Sequence, residues 1–199
     1  MSAPIARAPA DIRDALALVE FSGLVRGARI ADAVIKAADV RLLASVSSSG
    51  PRHLLLFDGD VEAVRLAFER ALVDGEGRVL DAVFLPFAHR ALVAGLAEAP
   101  MEPPRLDAVL LVETATLSAA VRALDAALKA VPIDLLAWRK GPGLAGRSVF
   151  ALAGNHADLE AAEEVIDQHA GGGLLDQHLL PHPDPAGPWT QPFGSEVFR

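Results

Sequence analysis

The sequence predicts an α+β chain in which one βαββαβ module is written twice in tandem, and three observations carry that expectation. Asp14-Ala-Leu-Ala-Leu-Val-Glu20 recurs as Asp107-Ala-Val-Leu-Leu-Val-Glu113, 93 positions on. Charged positions keep the same spacing, Arg29 with Arg122, Asp32 with Asp125 and Lys36 with Lys129, which a shared bias toward alanine cannot produce. Past a loop two residues longer in the second copy the offset becomes 95, pairing Arg52 with Arg147, Gly59 with Gly154 and Leu80-Asp81 with Leu175-Asp176.

Each element of the first copy has its own reason. Residues 15–21 are a short apolar run that suits a buried strand. Residues 23–38 place Leu24, Ala28, Ala31 and Ile35 at helical spacing, which predicts a helix with those four on its buried stripe. Residues 40–46 and 53–57 read as two strands around the turn 47–51. Asp60 is a candidate N-cap for a second helix, in which Val64, Ala67, Phe68, Ala71 and Leu72 share a face. Residues 79–85 supply the fourth strand. The order gives an antiparallel sheet with its helices on one face, so the chain is two tandem ferredoxin-like domains. The expected boundaries are an N-terminal extension at 1–13, a first domain at 14–100, a linker at 101–106 near Pro100, Pro103 and Pro104, a second domain at 107–185, and a tail at 186–199. The tail carries Trp189, Phe193 and Phe198, which suggest docking on its own subunit or a neighbour.

Composition excludes several classes of function. The chain is 52% hydrophobic with mean hydropathy +0.32, yet no apolar run reaches the ~18 residues of a membrane span. Its first residues lack the charged and apolar pattern of a secretion signal, so a cytoplasmic protein with no membrane partner is expected. There are no cysteines among the 199 residues, which removes disulfides, a thiolate nucleophile and Cys-ligated metal. A net charge of −8 argues against nucleic acid.

Few motifs carry chemistry. Gly141-Pro-Gly-Leu-Ala-Gly146-Arg147-Ser148 has the spacing of a phosphate-binding loop, but those loops need a helix next. Here a strand-like run follows, so the segment reads as an elaborated hairpin loop. Glu20 and Glu113 end matching strands and could serve as general bases, yet no motif gives either a His or Ser partner. Of the six histidines, His178 and His182 stand four apart with Pro181 between them, which spoils a helical metal pair. No metal or cofactor is expected. Asp32 with Lys36, and Asp125 with Lys129, have the spacing of a surface ion pair on a helix. Trp138 replaces Ser45 of the first copy and reads as a packing or interface residue.

The A-L-x-L-V-E strand, the A-D-A-x-x-K-A-A-D-V-x-L-L helix, the Ser/Gly turn and the G-D-V-E-A-V segment together resemble the bacterial microcompartment shell domain. The resemblance covers nearly the whole chain, twice, and is closest to tandem-domain shell proteins that form pseudohexameric trimers. It implies a homotrimeric, pseudohexagonal structural tile in a cytoplasmic shell, with a central pore for small polar or anionic metabolites. It also implies hexameric and pentameric shell proteins as partners, and no enzyme activity. The pore loop would fall on Ser47, Ser48, Ser49, Gly50 and Pro51 in the first copy. In the second it would fall on Lys140, Gly141, Pro142, Gly143, Leu144, Ala145 and Gly146. The edge lysine of the family matches Lys36 and Lys129. Where many relatives read I-P-R-P-H, this chain reads Leu85-Pro-Phe-Ala-His89 and Leu180-Pro-His-Pro-Asp184, so Phe87 and His182 stand at the arginine's place in the edge contact. Some relatives hold an iron–sulfur cluster through a loop Cys; the matching residue here is Ser49. From another class, a trimeric ferredoxin-like regulator binding a small effector would share the same topology.

Overall fold

A computed structural model describes residues 13, 15–48, 50–98, 107–140 and 143–184. They divide into two compact units. The first contains the described residues up to Ala88 together with Leu96–Glu98; the second contains His89–Gly95 and the described residues from 107 onward.

In the first unit β1 (Ala15–Ser22), α1 (Leu24–Ala37), β2 (Val40–Ser47), β3 (Arg52–Gly59), α2 (Val61–Asp74) and β4 (Val79–Leu85) follow one another. The sheet order is β2-β3-β1-β4, with every pairing antiparallel. In the second unit a short α3 (Arg90–Leu96) precedes β5 (Ala108–Thr114), α4 (Leu117–Ala130), β6 (Asp134–Arg139), β7 (Ser148–Gly154), α5 (His156–His169) and β8 (Leu174–Pro181). Its sheet runs β6-β7-β5-β8, the same order at the same positions, again wholly antiparallel. Even the irregularities repeat. The register shifts between Leu42 and Ala44 and again between Leu135 and Ala137; it shifts after Glu20 and again after Glu113. A bulge adds one residue to one strand and bends it, so both copies inherit the same local curvature.

Alternation along β1 sets the layers. Ala15, Ala17, Val19 and Phe21 pack with Ile30 and Val34 of α1 and Val64, Ala67 and Ala71 of α2. Leu16, Leu18 and Glu20, on the other face of the strand, are also buried. Asp58 is buried beside them, receiving the Arg41 guanidinium at 2.9 and 2.6 Å and the Arg13 amide at 2.8 Å. Burying a carboxylate is costly unless it is paired in this way.

Two expectations from the sequence are revised. Asp60 is the N-cap residue of α2, but its side chain makes no capping bond. The buried stripe of α1 is Gly27, Ile30, Ala31 and Val34; of the four residues expected there only Ala31 is inside, while Leu24, Ala28 and Ile35 are exposed. The helix carries two apolar stripes side by side, and the sheet takes the one containing glycine.

Glycine is there for a reason. A Cβ on Gly27 would lie 2.2 Å from Cγ and 2.5 Å from Cβ of His53, whose ring fills the space under α1 and meets the Ser45 hydroxyl at 3.0 Å. In the second unit the matching residues are Ala120, Ser148 and Trp138, and the Trp138 indole donates to the Ser148 hydroxyl at 2.7 Å. Bulk has moved from β3 to β6 while the polar contact survives. Gly27→Ala would gain about 1 kcal/mol of helix propensity. The clash reaches the root of the His53 side chain, which cannot swing away, so we expect a net loss of about 1–3 kcal/mol. Chemical denaturation will measure it, and Gly27→Ala with His53→Ser should recover much of the loss. Burial also lowers the His53 pKa below its ordinary 6.5. The unfolded chain therefore takes up a proton before the folded one, and stability present above that value should fall as the solution is acidified. His53→Gln should flatten that acid-side decline in denaturation midpoints measured across pH.

Candidate functional site

The segments that carry the resemblance are the two strand-to-strand loops, the two lysine-bearing helices and the chain just past the last strand of each sheet. In the first loop the Ser48 amide donates to the Arg52 carbonyl at 2.9 Å, closing the turn, and Gly50 takes a positive φ of 72°. Pro51 accepts the Gly23 amide at 2.6 Å, which ties the loop to the start of α1. Ser49 lies outside the described residues, as do Gly141 and Pro142 of the second loop. That second loop folds back through Gly143, Ala145 and Gly146, all with positive φ, and the Arg147 amide reaches the Leu144 carbonyl at 2.9 Å. A strand follows it, so no helix terminus is presented to a phosphate.

Two cations of this loop are engaged. The Lys140 ammonium donates to the Gly95 carbonyl at 2.8 Å and lies 5.2 Å from the centre of the Trp138 ring. Arg147 binds the Glu113 carboxylate at 2.7 Å. Glu113 borders a cavity of about 430 Å³ with Arg139, Leu144, Val149, Asp176 and His178. The Glu20 carboxyl is buried, at the matching place in the first unit. Among the described residues no cluster of three or more His, Asp or Glu side chains could hold a metal ion.

The two repeated lysines occupy different surroundings. Lys36 bonds Asp32 at 2.6 Å with its side chain 72% exposed, an ordinary surface pair worth a few tenths of a kcal/mol. Lys129 bonds Asp125 at 2.5 Å, but Asp125 is only 4% exposed and also accepts the His89 amide at 2.7 Å. The carboxylate thereby anchors the start of α3, where the His89 ring in turn accepts the Ala91 amide at 3.3 Å. The spacing identified both pairs; it gave no sign that one was buried. Phe87 is exposed just past β4, and His182 is exposed just past β8 with its ring 3.7 Å from the Asp107 carboxylate. These two residues occupy matching places in the repeat. The tail with Trp189, Phe193 and Phe198, the extension at 1–12 and the linker at 101–106 lie outside the described residues. Sequence reasoning missed Asp58 with Arg41, although an Asp inside an otherwise apolar strand is a visible signal, and it missed the His53 and Trp138 exchange.

Two copies of one antiparallel βαββαβ sheet, each with a strand-to-strand loop and a lysine-bearing helix at the same place, define a tandem-domain module. The chain belongs to the BMC domain family, the bacterial microcompartment domain, which matches residues 15–88 and again 108–183. It is 29% identical over 171 residues to the bacterial microcompartment shell protein PduT of Citrobacter freundii, covering 85% of this chain and 92% of that one. Among solved structures it resembles a microcompartment protein of Desulfitobacterium hafniense, with a TM-score of 0.73, 29% identity and coverage of 86% of this chain and 96% of that one. A fused permuted hexameric shell protein from the RMM microcompartment shares the fold at a TM-score of 0.57 and 20% identity, over 76% and 79% of the two chains.

Asp125→Ala should cost about 1–3 kcal/mol, because it leaves the half-buried His89 amide without its partner and removes a charge-assisted bond. Asp32→Ala should cost less than about 0.5 kcal/mol. Urea denaturation of the two variants checks the contrast.

Proposed function

We propose that this protein is a structural component of a bacterial microcompartment shell, and that three copies close into a pseudohexagonal tile. The observation that carries the reading is the duplication itself. Two units of one topology, with matching registers and matching bulges, present the same backbone framework twice. Three such chains offer six similar units around an axis, a closed arrangement that a single chain cannot reach. Similarity to PduT over 85% of the chain supports the shell role.

In that tile the loops at 47–51 and 140–146 would surround the axis and Lys36 and Lys129 would lie at its edges, with Phe87 and His182 near them. Lys36 is free to leave Asp32 for a partner across an edge, since the exposed pair holds it weakly. Arg147 is neutralised by Glu113, while Lys140 keeps its charge on bonding the Gly95 carbonyl, so the opening would discriminate by the serine hydroxyls and backbone amides of its loops together with that one ammonium. That favours small polar solutes. Hexameric and pentameric shell proteins would complete the surface, inside the cytoplasm.

Electron microscopy of the purified protein, alone and mixed with a hexameric shell protein, tests the reading. Flat sheets or mixed shells are expected. A discrete oligomer that never extends, and that gains thermal stability from a small effector, would return the regulator reading. Lys36→Glu, at the exposed pair, should leave the trimer intact by light scattering while reducing extended sheets.

A further inference from the structure

The two lysine-bearing helices are alike in sequence and unlike in burial. Leu128 of α4 is 6% exposed, and its counterpart Ile35 of α1 is 48% exposed; Ser118 is fully buried, and its counterpart Val25 is 88% exposed. Val121 and Leu124 are buried as well, so the stripe that the sequence assigned to the core is covered on α4 and largely open on α1.

Beside that helix lies α3, the stretch of chain that comes directly after the first repeat. The His89 amide just ahead of it bonds Asp125, Leu92 is wholly buried, and the Gly95 carbonyl accepts from Lys140. Gly95 sits so close to β6 that a Cβ there would lie 2.7 Å from Leu135 and 2.9 Å from Trp138. The chain leaving one repeat therefore seats on the helix and edge strand of the next. The first unit owns the matching seat, formed by Asp32 and Ile35 of α1 with Leu42 and Ser45 of β2. The chain leaving the second repeat is residues 185–199, with Trp189, Phe193 and Phe198. In a closed ring of copies, the unit that comes after a second repeat is the first unit of the neighbouring copy.

We propose that residues 185–199 of one copy dock on the α1 and β2 seat of a second copy, around a ring of three. The inference rests on the ring proposed above. Its chemistry is complementary: the seat exposes Ile35, and three aromatic side chains can each cover on the order of 150–250 Å². Aromatic bulk here would take the part played by Leu92 and Gly95 on the other unit.

The absence of cysteine makes a direct test simple. Ile35→Cys and Phe193→Cys in one chain should, on mild oxidation, give covalent dimers and trimers in a denaturing gel. In a second measurement, Trp189→Ala with Phe193→Ala should speed hydrogen exchange of α1 amides by about tenfold or more while leaving α4 unchanged. Light scattering on the same samples separates the two ideas. A trimer that yields neither the cross-link nor the change in exchange overturns the docking and leaves the ring standing. A cross-link confined to single chains shows the tail on its own subunit and also overturns it. A protein that is monomeric at high concentration overturns the ring and the docking together.

Discussion

The strand at the middle of each sheet is the constraint on which the rest depends. β1 pairs with β3 on one side and β4 on the other, β5 does the same with β7 and β8, and β1 is buried on both faces. A strand enclosed in this way has no tolerance for a register slip, because a shift of one residue would exchange its two faces. Fixing that strand fixes where the neighbouring bulges fall, and with them the direction in which the loops and helices leave the sheet. The repeated bulges beside Glu20 and Glu113 are therefore part of how two halves of limited sequence identity keep one shape.

Within that frame the copies have diverged by compensation. The space under the first helix is filled by His53 with Gly27 above it; in the second unit Ser148 and Ala120 hold those two places in the repeat, and Trp138 on the adjoining strand bonds Ser148 and supplies the lost bulk. Close packing makes such exchanges obligatory, since a void or an overlap of one methyl group is felt at once. Elsewhere the copies differ without a counterpart. Asp58 and Arg41 form a buried ion pair in the first unit, where the second has Ala153 and Asp134. One half thus holds its edge strand with charge that the other does without.

Topology, element order and the duplication were legible in the sequence because they rest on periodicity and on charged residues recurring at constant spacing. The lysine pairs and the strand that follows the glycine-rich loop could be read in the same way. Three things could not. Periodicity shows that α1 has apolar residues at helical intervals, but with two such stripes adjacent it cannot say which one meets the sheet; the fit of Gly27 over His53 decided that. Spacing shows Asp125 next to Lys129, but the partner that buries it, the His89 amide, is 36 residues away in the chain. The place of Lys140 in its loop is a local feature, but the carbonyl that its ammonium meets, at Gly95, is 45 residues away in the chain. Each of these depends on contacts between residues distant in sequence, which no local pattern encodes.

The short helix at 90–96 has a consequence for how this gene can be recombined. The duplication unit ends in sequence after β4, yet the folded second unit has recruited the seven residues from His89 to Gly95 into its own helical layer. A crossover placed at the apparent junction near residue 104 would deliver a second half stripped of the helix that Asp125 and Lys140 hold. The unit that can be transplanted intact therefore begins at residue 89, inside what the repeat alone would call the first half.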